Sequence, residues 1–346
     1  PAIVRHTEPK SRHHHTAMSE RATMNMKPVF TVPTKTVINF KSHFYKKLLC
    51  DGLTFTAGNA CVYSCAFCYV ESMQKKSQDW FRDHGVEYGE NGHLGVVIRT
   101  KDAVNILRAQ LLSKPEEFRK RKLVIYSSPK VDVAGNMELV HETVEICKVI
   151  LELTNWDIRL LSKSNLLTKV AELLALYPGP FPRWASSISP RQRIIYGVST
   201  GTLDDKLAAA FEQGTPKVSK RIESLHWLQD HGYRTFGMIC PSLPQWDYAK
   251  FALDMANAIR LNQCESIWTE VINLRGDSFT RTVKCLADAG FIWEANALEV
   301  VSHDKAAWED YARNTFNAHA KLYPPGKLRF LQYVTKDTRD WWNSRV

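Results

Sequence analysis

No apolar run in this chain approaches the roughly 18 residues of a membrane-spanning helix, so no span is expected. A signal-peptide-like apolar stretch is missing too. Pro1 to about Lys27 is polar and carries His13-His14-His15. Three adjacent histidines can bind metal, but the composition reads as a disordered tail. Short-period repeats and low-complexity tracts are absent. So is any cysteine pattern suited to a disulfide framework: Cys50, Cys147, Cys240, Cys264 and Cys285 stand singly, as in reduced intracellular proteins. A cytoplasmic location is expected.

What is present is a chain of 346 residues with 44% hydrophobic content, enough for one sizeable core or a core with an appended lobe. The net charge of +10 is spread out, with denser patches at Lys41 to Lys47 and Lys114 to Lys122. Such patches attract polyanions, or they are simply solvated faces. Ten tryptophans, twelve tyrosines and fifteen phenylalanines offer surfaces on which unpaired bases can stack, although most belong in a core.

Apolar strand-like runs alternate with amphipathic helical ones. Strands are expected at Leu123 to Tyr126, Ile158 to Leu161, Arg193 to Val198, Thr235 to Cys240, Ser266 to Ile272 and Leu328 to Tyr333. Helices are expected at Met137 to Leu153, from Asn165 as cap through Leu176, and at Val218 to His231, Trp246 to Leu261, Thr280 to Ala289 and Lys305 to Leu322. Repeating strand–helix units imply an α/β fold with a parallel sheet and helices outside. Polar residues recur at the strand tips: Ser127-Ser128-Pro129-Lys130-Val131-Asp132, Ser162-Lys163-Ser164, Ser199-Thr200-Gly201, Cys240-Pro241, and Glu270 toward Asn273 and Arg275. In one register they suggest a lined pocket.

Cys61, Cys65 and Cys68 form a C-x₃-C-x₂-C string, with Phe67 before the last cysteine. Three such thiolates can hold three corners of a cubane iron–sulfur cluster and leave the fourth iron open. A zinc site completed by His84 or His93 is the alternative. A cluster of buried apolar cysteines is another. No second cysteine cluster is present, so auxiliary iron–sulfur centres are not expected.

The C-x₃-C-x₂-C string resembles the signature of the radical S-adenosylmethionine enzymes. Leu161-Ser162-Lys163-Ser164, Phe211-Glu212-Gln213-Gly214-Thr215-Pro216 and Met238-Ile239-Cys240-Pro241-Ser242-Leu243-Pro244 resemble strings of the spore photoproduct lyase-like branch. The similarity runs roughly from Leu53 to Pro244. It implies a partial (β/α)6 barrel over 53–275, with the cysteine loop after a first strand within Leu53 to Ala57. Residues 28–52 would form an N-terminal extension, and 276–346 a C-terminal one covering the barrel. It also implies a [4Fe-4S] cluster on Cys61, Cys65 and Cys68 that binds S-adenosylmethionine at its open iron. The reduced cluster would cleave the sulfonium to a 5′-deoxyadenosyl radical that abstracts hydrogen from a substrate. A flavodoxin or ferredoxin would donate the electron.

Carried over by position, Lys163 would bind the carboxylate of S-adenosylmethionine and Ser199 its amino end. Ser127, Ser128 and Asp132 would meet its methionine or ribose, with Phe67 beside the cluster. Tyr69 matches the family's tyrosine after the third cysteine. The chain also departs from the family. True spore photoproduct lyases typically have tyrosine where Phe67 stands and a cysteine just ahead of the second-strand Asp, and both return hydrogen to the repaired thymine. Without them that return route cannot operate here. Cys240 is either a substitute hydrogen donor or a packing cysteine. Family and charge together favour a nucleic-acid substrate. A peptide or small metabolite is the rival within the enzyme class, and a zinc-stabilised nucleic-acid-binding module is the non-catalytic alternative.

Overall fold

The computed structural model describes residues 29–86, 97–127, 130–179, 189–273, 277–330 and 335–345. The polar tail, His93, Ser128 and Arg275 lie outside them, as does the end of the expected last strand. Among the described residues, no helix is long and apolar enough to cross a membrane.

In chain order the strands are β1 (Val29–Val32), β2 (Ile38–Asn39), β3 (Leu53–Phe55), β4 (Gly58–Ala60), β5 (Ser64–Cys65), β6 (Val97–Thr100), β7 (Val124–Ser127), β8 (Asp157–Ser162), β9 (Ile194–Ser199), β10 (Glu212–Gln213), β11 (Arg234–Ser242), β12 (Cys264–Val271) and β13 (Leu328–Phe330). The main sheet has the order β13-β12-β11-β9-β8-β7-β3-β2. From β3 to β13 every neighbouring pair is parallel, while β2 joins antiparallel to β3. This open, mostly parallel sheet is the expected α/β architecture, and β3 is the expected first strand. Beyond β12, β13 extends the same sheet. A smaller sheet, β1-β6-β4, stands beside it.

Each strand sends alternate residues to opposite faces. Ile125, Ile158, Leu160, Ile194, Tyr196, Ile239 and Ile267 join the core that packs the helices. Tyr126, Ile195, Phe236, Met238 and Trp268 form a second cluster with Leu49 and Cys50. The stretch around the 3₁₀ turn His43–Lys47 covers this second face, where the Trp268 indole N–H donates to the Lys47 carbonyl at 2.8 Å. Burial on both sides is why the strands read as continuous apolar runs.

The helix Met137–Leu153 forms as expected, with the Asn136 side chain accepting from the Leu139 N–H at 2.8 Å. The next helix corrects the reading. It spans Leu167–Ala175, and Asn165 does not cap it. Ser164 Oγ accepts the Leu166 N–H at 3.0 Å instead, and the Asn165 carbonyl accepts from Ser224 Oγ. Trp246 also lies outside its expected helix, which runs Tyr248–Ala258 behind an Asp247 cap. A helix at Ile292–His303 was not foreseen, because only Ala295, Leu298 and Val301 bury along it.

Candidate active site

The chain leaves β3 through β4 and reaches Cys61 immediately. A two-residue antiparallel bridge then pins β5 to β10, placing Cys65 opposite Glu212 and Ser64 opposite Gln213. Ala66 donates its N–H to the Phe211 carbonyl at 2.8 Å, and the Cys68 N–H turns back onto the Cys65 carbonyl at 3.0 Å. These bonds hold the cysteine loop at the C-terminal ends of the parallel strands, where chemistry gathers in such folds.

Cys68 helps raise the Cys61 thiol, and Cys61 and Cys68 both help raise Cys65, so the three thiols are neighbours. Burial pushes the Cys61 thiol up to about 12, and the Asp132 carboxylate adds to the effect. Cys65 is raised by burial and then by Glu212, with Lys163 acting in the opposite direction. Burial raises Cys68 as well, against the backbone N–H groups of Val70 and Glu71. Its carbonyl accepts from the Arg281 guanidinium at 3.4 Å.

Buried thiols of this kind ionise readily only when a cation replaces the proton, and a metal does so. Among the described residues, no three His, Cys, Asp or Glu side chains converge closely enough to hold one ion. His84, the described candidate for a fourth zinc ligand, has Nδ1 2.7 Å from the Trp80 carbonyl and its ring against the Trp80 indole.

Beside the loop, the Lys163 ammonium donates to Glu212 Oε1 at 2.7 Å and to Ser199 Oγ and the Cys240 carbonyl, both at 3.2 Å. It also lies 5.3 Å from the centre of the Phe67 ring. Ser199 Oγ donates to the same Cys240 carbonyl at 3.2 Å. Lys163, Ser199, Phe67 and Cys240 are thus brought together. Gly201 permits this close approach, because a Cβ there would lie 1.6 Å from the Pro241 carbonyl oxygen.

The other candidates have their polar atoms engaged within the protein. Asp132 accepts from Ser162 Oγ at 2.6 Å, the Lys163 N–H at 2.8 Å and the Ala134 N–H at 2.9 Å, tying the β7 tip to that of β8. Burial raises its pKa against these donors. Ser127 Oγ accepts the Leu161 N–H at 3.1 Å. The Cys240 thiol donates to Glu270 Oε2 at 3.1 Å, and Glu270 Oε1 lies 3.8 Å from Lys47 Nζ. Burial and then Glu270 raise that thiol well above its usual range. Tyr69 precedes the helix Val70–Gln74. The Tyr126 hydroxyl is raised first by burial and then by Tyr69, Cys240 and Glu270, which places all four in one region.

Sequence reasoning did not assign Glu212 or Arg221 to the site. Glu212 is 1% exposed, and its second oxygen lies 2.5 Å from the Arg221 guanidinium. Arg221 is fully buried and also donates to the Pro216 and Ser199 carbonyls and to Thr215 Oγ1. The only sequence signal was an acid inside the string that forms β10.

Two solved structures of spore photoproduct lyase superpose on this chain, each with a TM-score of 0.52 and 10% identity over 75% of its length. One is a mutant with bound AdoMet and dinucleoside spore photoproduct, and the other is complexed with dinucleoside spore photoproduct. The chain shares the fold of these two structures. It spans 66% of the length of those proteins, just under two thirds. No family model matches it, and no curated protein does.

Proposed function

We propose that this protein is a radical S-adenosylmethionine enzyme. The reading is carried by the cysteine loop, pinned through Glu212 beside Lys163 and Ser199 at the C-terminal ends of the strands. Cys61, Cys65 and Cys68 would hold a [4Fe-4S] cluster. When bound and reduced, that cluster supplies the electron that cleaves S-adenosylmethionine to a hydrogen-abstracting 5′-deoxyadenosyl radical. Lys163 offers a point charge to the methionine carboxylate, and Ser199 a hydroxyl to its amine. Phe67 lines the approach beneath Lys163, and Asp132 keeps the Lys163 backbone in place. The Cys240 thiol is the candidate hydrogen donor, with Tyr69 and Tyr126 nearby. An electron donor of flavodoxin or ferredoxin type completes the system.

Nucleic acid is the favoured substrate class, supported by the +10 charge and by the dinucleoside photoproduct bound to the structural neighbours. Thymine-dimer reversal by the familiar return route is not proposed, because Phe67 has no hydroxyl. Anaerobic reconstitution tests the catalytic reading. About four irons and four sulfides per chain, a broad absorbance and 5′-deoxyadenosine formation under reduction support it. One zinc and no colour overturn it. Nucleic-acid affinity that falls steeply with salt supports the substrate class, whereas no affinity at low salt points to a peptide or small metabolite.

A further inference from the structure

The two basic patches, far apart in sequence, meet in the fold. Stretch 41–47 lies across one face of the sheet, and stretch 114–122 ends just before β7. Between them is a cavity of about 760 Å³ whose lining includes Lys41, His43, Tyr45, Arg121, Lys122 and Arg159. It sits at the end of the strands remote from the thiols. Val124 opens β7 at the cavity while Ser127 closes it toward the cysteine loop, and on β8 Arg159 precedes Ser162 in the same way.

Cations outnumber the one lining carboxylate, Asp51, in this cavity. Lys122 is committed to Asp157 at 2.5 Å, and Asp51 uses Oδ2 to accept the Val124 N–H at 2.7 Å. Among the described residues, Lys41, Arg121 and Arg159 have no carboxylate within ion-pair distance. Arg159 is the strongest pointer. It is 8% exposed, donates to the Leu48 and Leu49 carbonyls, and lies 4.9 Å from the Trp268 ring centre. Its Nε is buried without a hydrogen-bond partner. Carbonyls, a ring face and the longer-range pull of Glu265 offset this guanidinium's charge only in part, and a buried cation without a contacting counter-ion is costly. An anion at the cavity floor would balance it. Tyr45, 51% exposed, presents a flat ring at the rim.

We propose that this cavity binds a nucleoside polyphosphate, with Lys41, Arg121 and Arg159 holding the phosphates and Tyr45 facing the base. The volume falls in the range of about 300–1,000 Å³ typical of small-molecule sites. Guanidinium forks and an ammonium point charge are the side-chain chemistry that holds phosphates. The inference does not depend on the catalytic reading.

Calorimetric titration of the full chain at low salt tests it, using ATP, pyrophosphate and adenosine as probes. ATP is expected to bind saturably, with pyrophosphate and adenosine each at least tenfold weaker. The double variant Lys41→Glu/Arg121→Glu changes two exposed side chains. It should keep its far-UV spectrum and Tm while losing ATP affinity at least tenfold. ATP binding that survives in this variant places the nucleotide elsewhere, the S-adenosylmethionine site included, and overturns the proposal. No ATP binding at millimolar concentration, or pyrophosphate binding as tightly as ATP, overturns it as well. So does an oligonucleotide that binds through Lys41 and Arg121 when ATP does not, since the patch would then track a nucleic-acid backbone.

Discussion

The Lys163 ammonium and the Glu212 carboxylate meet at 2.7 Å inside the protein, and Glu212 stands opposite Cys65 in the β5–β10 bridge. One side chain thereby joins the thiol loop to the cation at the end of β8. Arg221 takes the other carboxylate oxygen, so two cations share one anion and the trio keeps a net positive charge. Arg221 is sealed in, while the Lys163 side chain is 14% exposed and faces Ser199 and Phe67. The surplus charge therefore faces the place where we propose that the S-adenosylmethionine carboxylate binds.

Glu212→Gln should be the most damaging single change near the site. It leaves Arg221, with 0% exposure, without its counter-ion. Breaking a buried pair from one side costs about 3–5 kcal/mol. Denaturant unfolding of the cluster-free protein reads this directly. A loss under about 1 kcal/mol would show that the backbone carbonyls around Arg221 suffice.

Lys163→Ala tests cofactor binding rather than folding. Arg221 still neutralises Glu212 in this variant, and the cysteine bridge keeps its backbone pairing. S-adenosylmethionine affinity should fall about tenfold or more, as expected for losing a charge-assisted contact of about 1.5–3 kcal/mol. Iron content should stay at the wild-type value. Unchanged affinity in an equilibrium titration would remove Lys163 from the site.

Much of the sheet was legible because its strands are buried on both faces and its helices carry a 3.6-residue apolar period. Met137–Leu153 was readable to the residue, since Asn136 caps it and nine of its residues are buried. The helix after β8 was misread at its start because Ser162 and Ser164 accept the backbone N–H groups of Ser164 and Leu166, leaving Asn165 no capping role. At the site, strand-tip logic marked Lys163, Ser199 and Cys240, and the fold brings them into contact. Glu212 and Arg221 stayed hidden for a physical reason. Their link to Lys163 spans 49 residues and exists only once β10 folds back onto β5. Arg159 and the two basic patches were equally illegible as one cavity, because residues more than 70 apart form its walls.

Cys65→Ala should remove the cluster and 5′-deoxyadenosine production together. Cys65 is the central thiol of the loop and the one bridged to Glu212, so neither Cys61 nor Cys68 can take its place without unpicking β5. Folding should survive, because a buried alanine fits where a small thiol packed. The measurements are iron and sulfide content after anaerobic reconstitution, alongside product chromatography. Turnover retained with two cysteines would contradict the ligand role.

His319 gives the fold an acid limit unrelated to the cluster. Its side chain is fully buried, with Nδ1 2.7 Å from the Thr315 carbonyl and Nε2 without a partner. Burial lowers its pKa from 6.5 to about 4. Below about pH 6.5 the unfolded chain takes a proton that the folded one refuses, so stability falls as the pH drops toward 4. The loss from this group alone reaches about 3 kcal/mol by about pH 4. Replacing His319→Phe removes the titrating ring while keeping an aromatic against Phe251 and Tyr323. Unfolding free energies at about pH 7 and about pH 4.5 should differ less in the variant than in the wild type, by about 2–3 kcal/mol. Parallel pH dependence in the two proteins would mean that the imidazole is already protonated, or reachable by water, in the folded state.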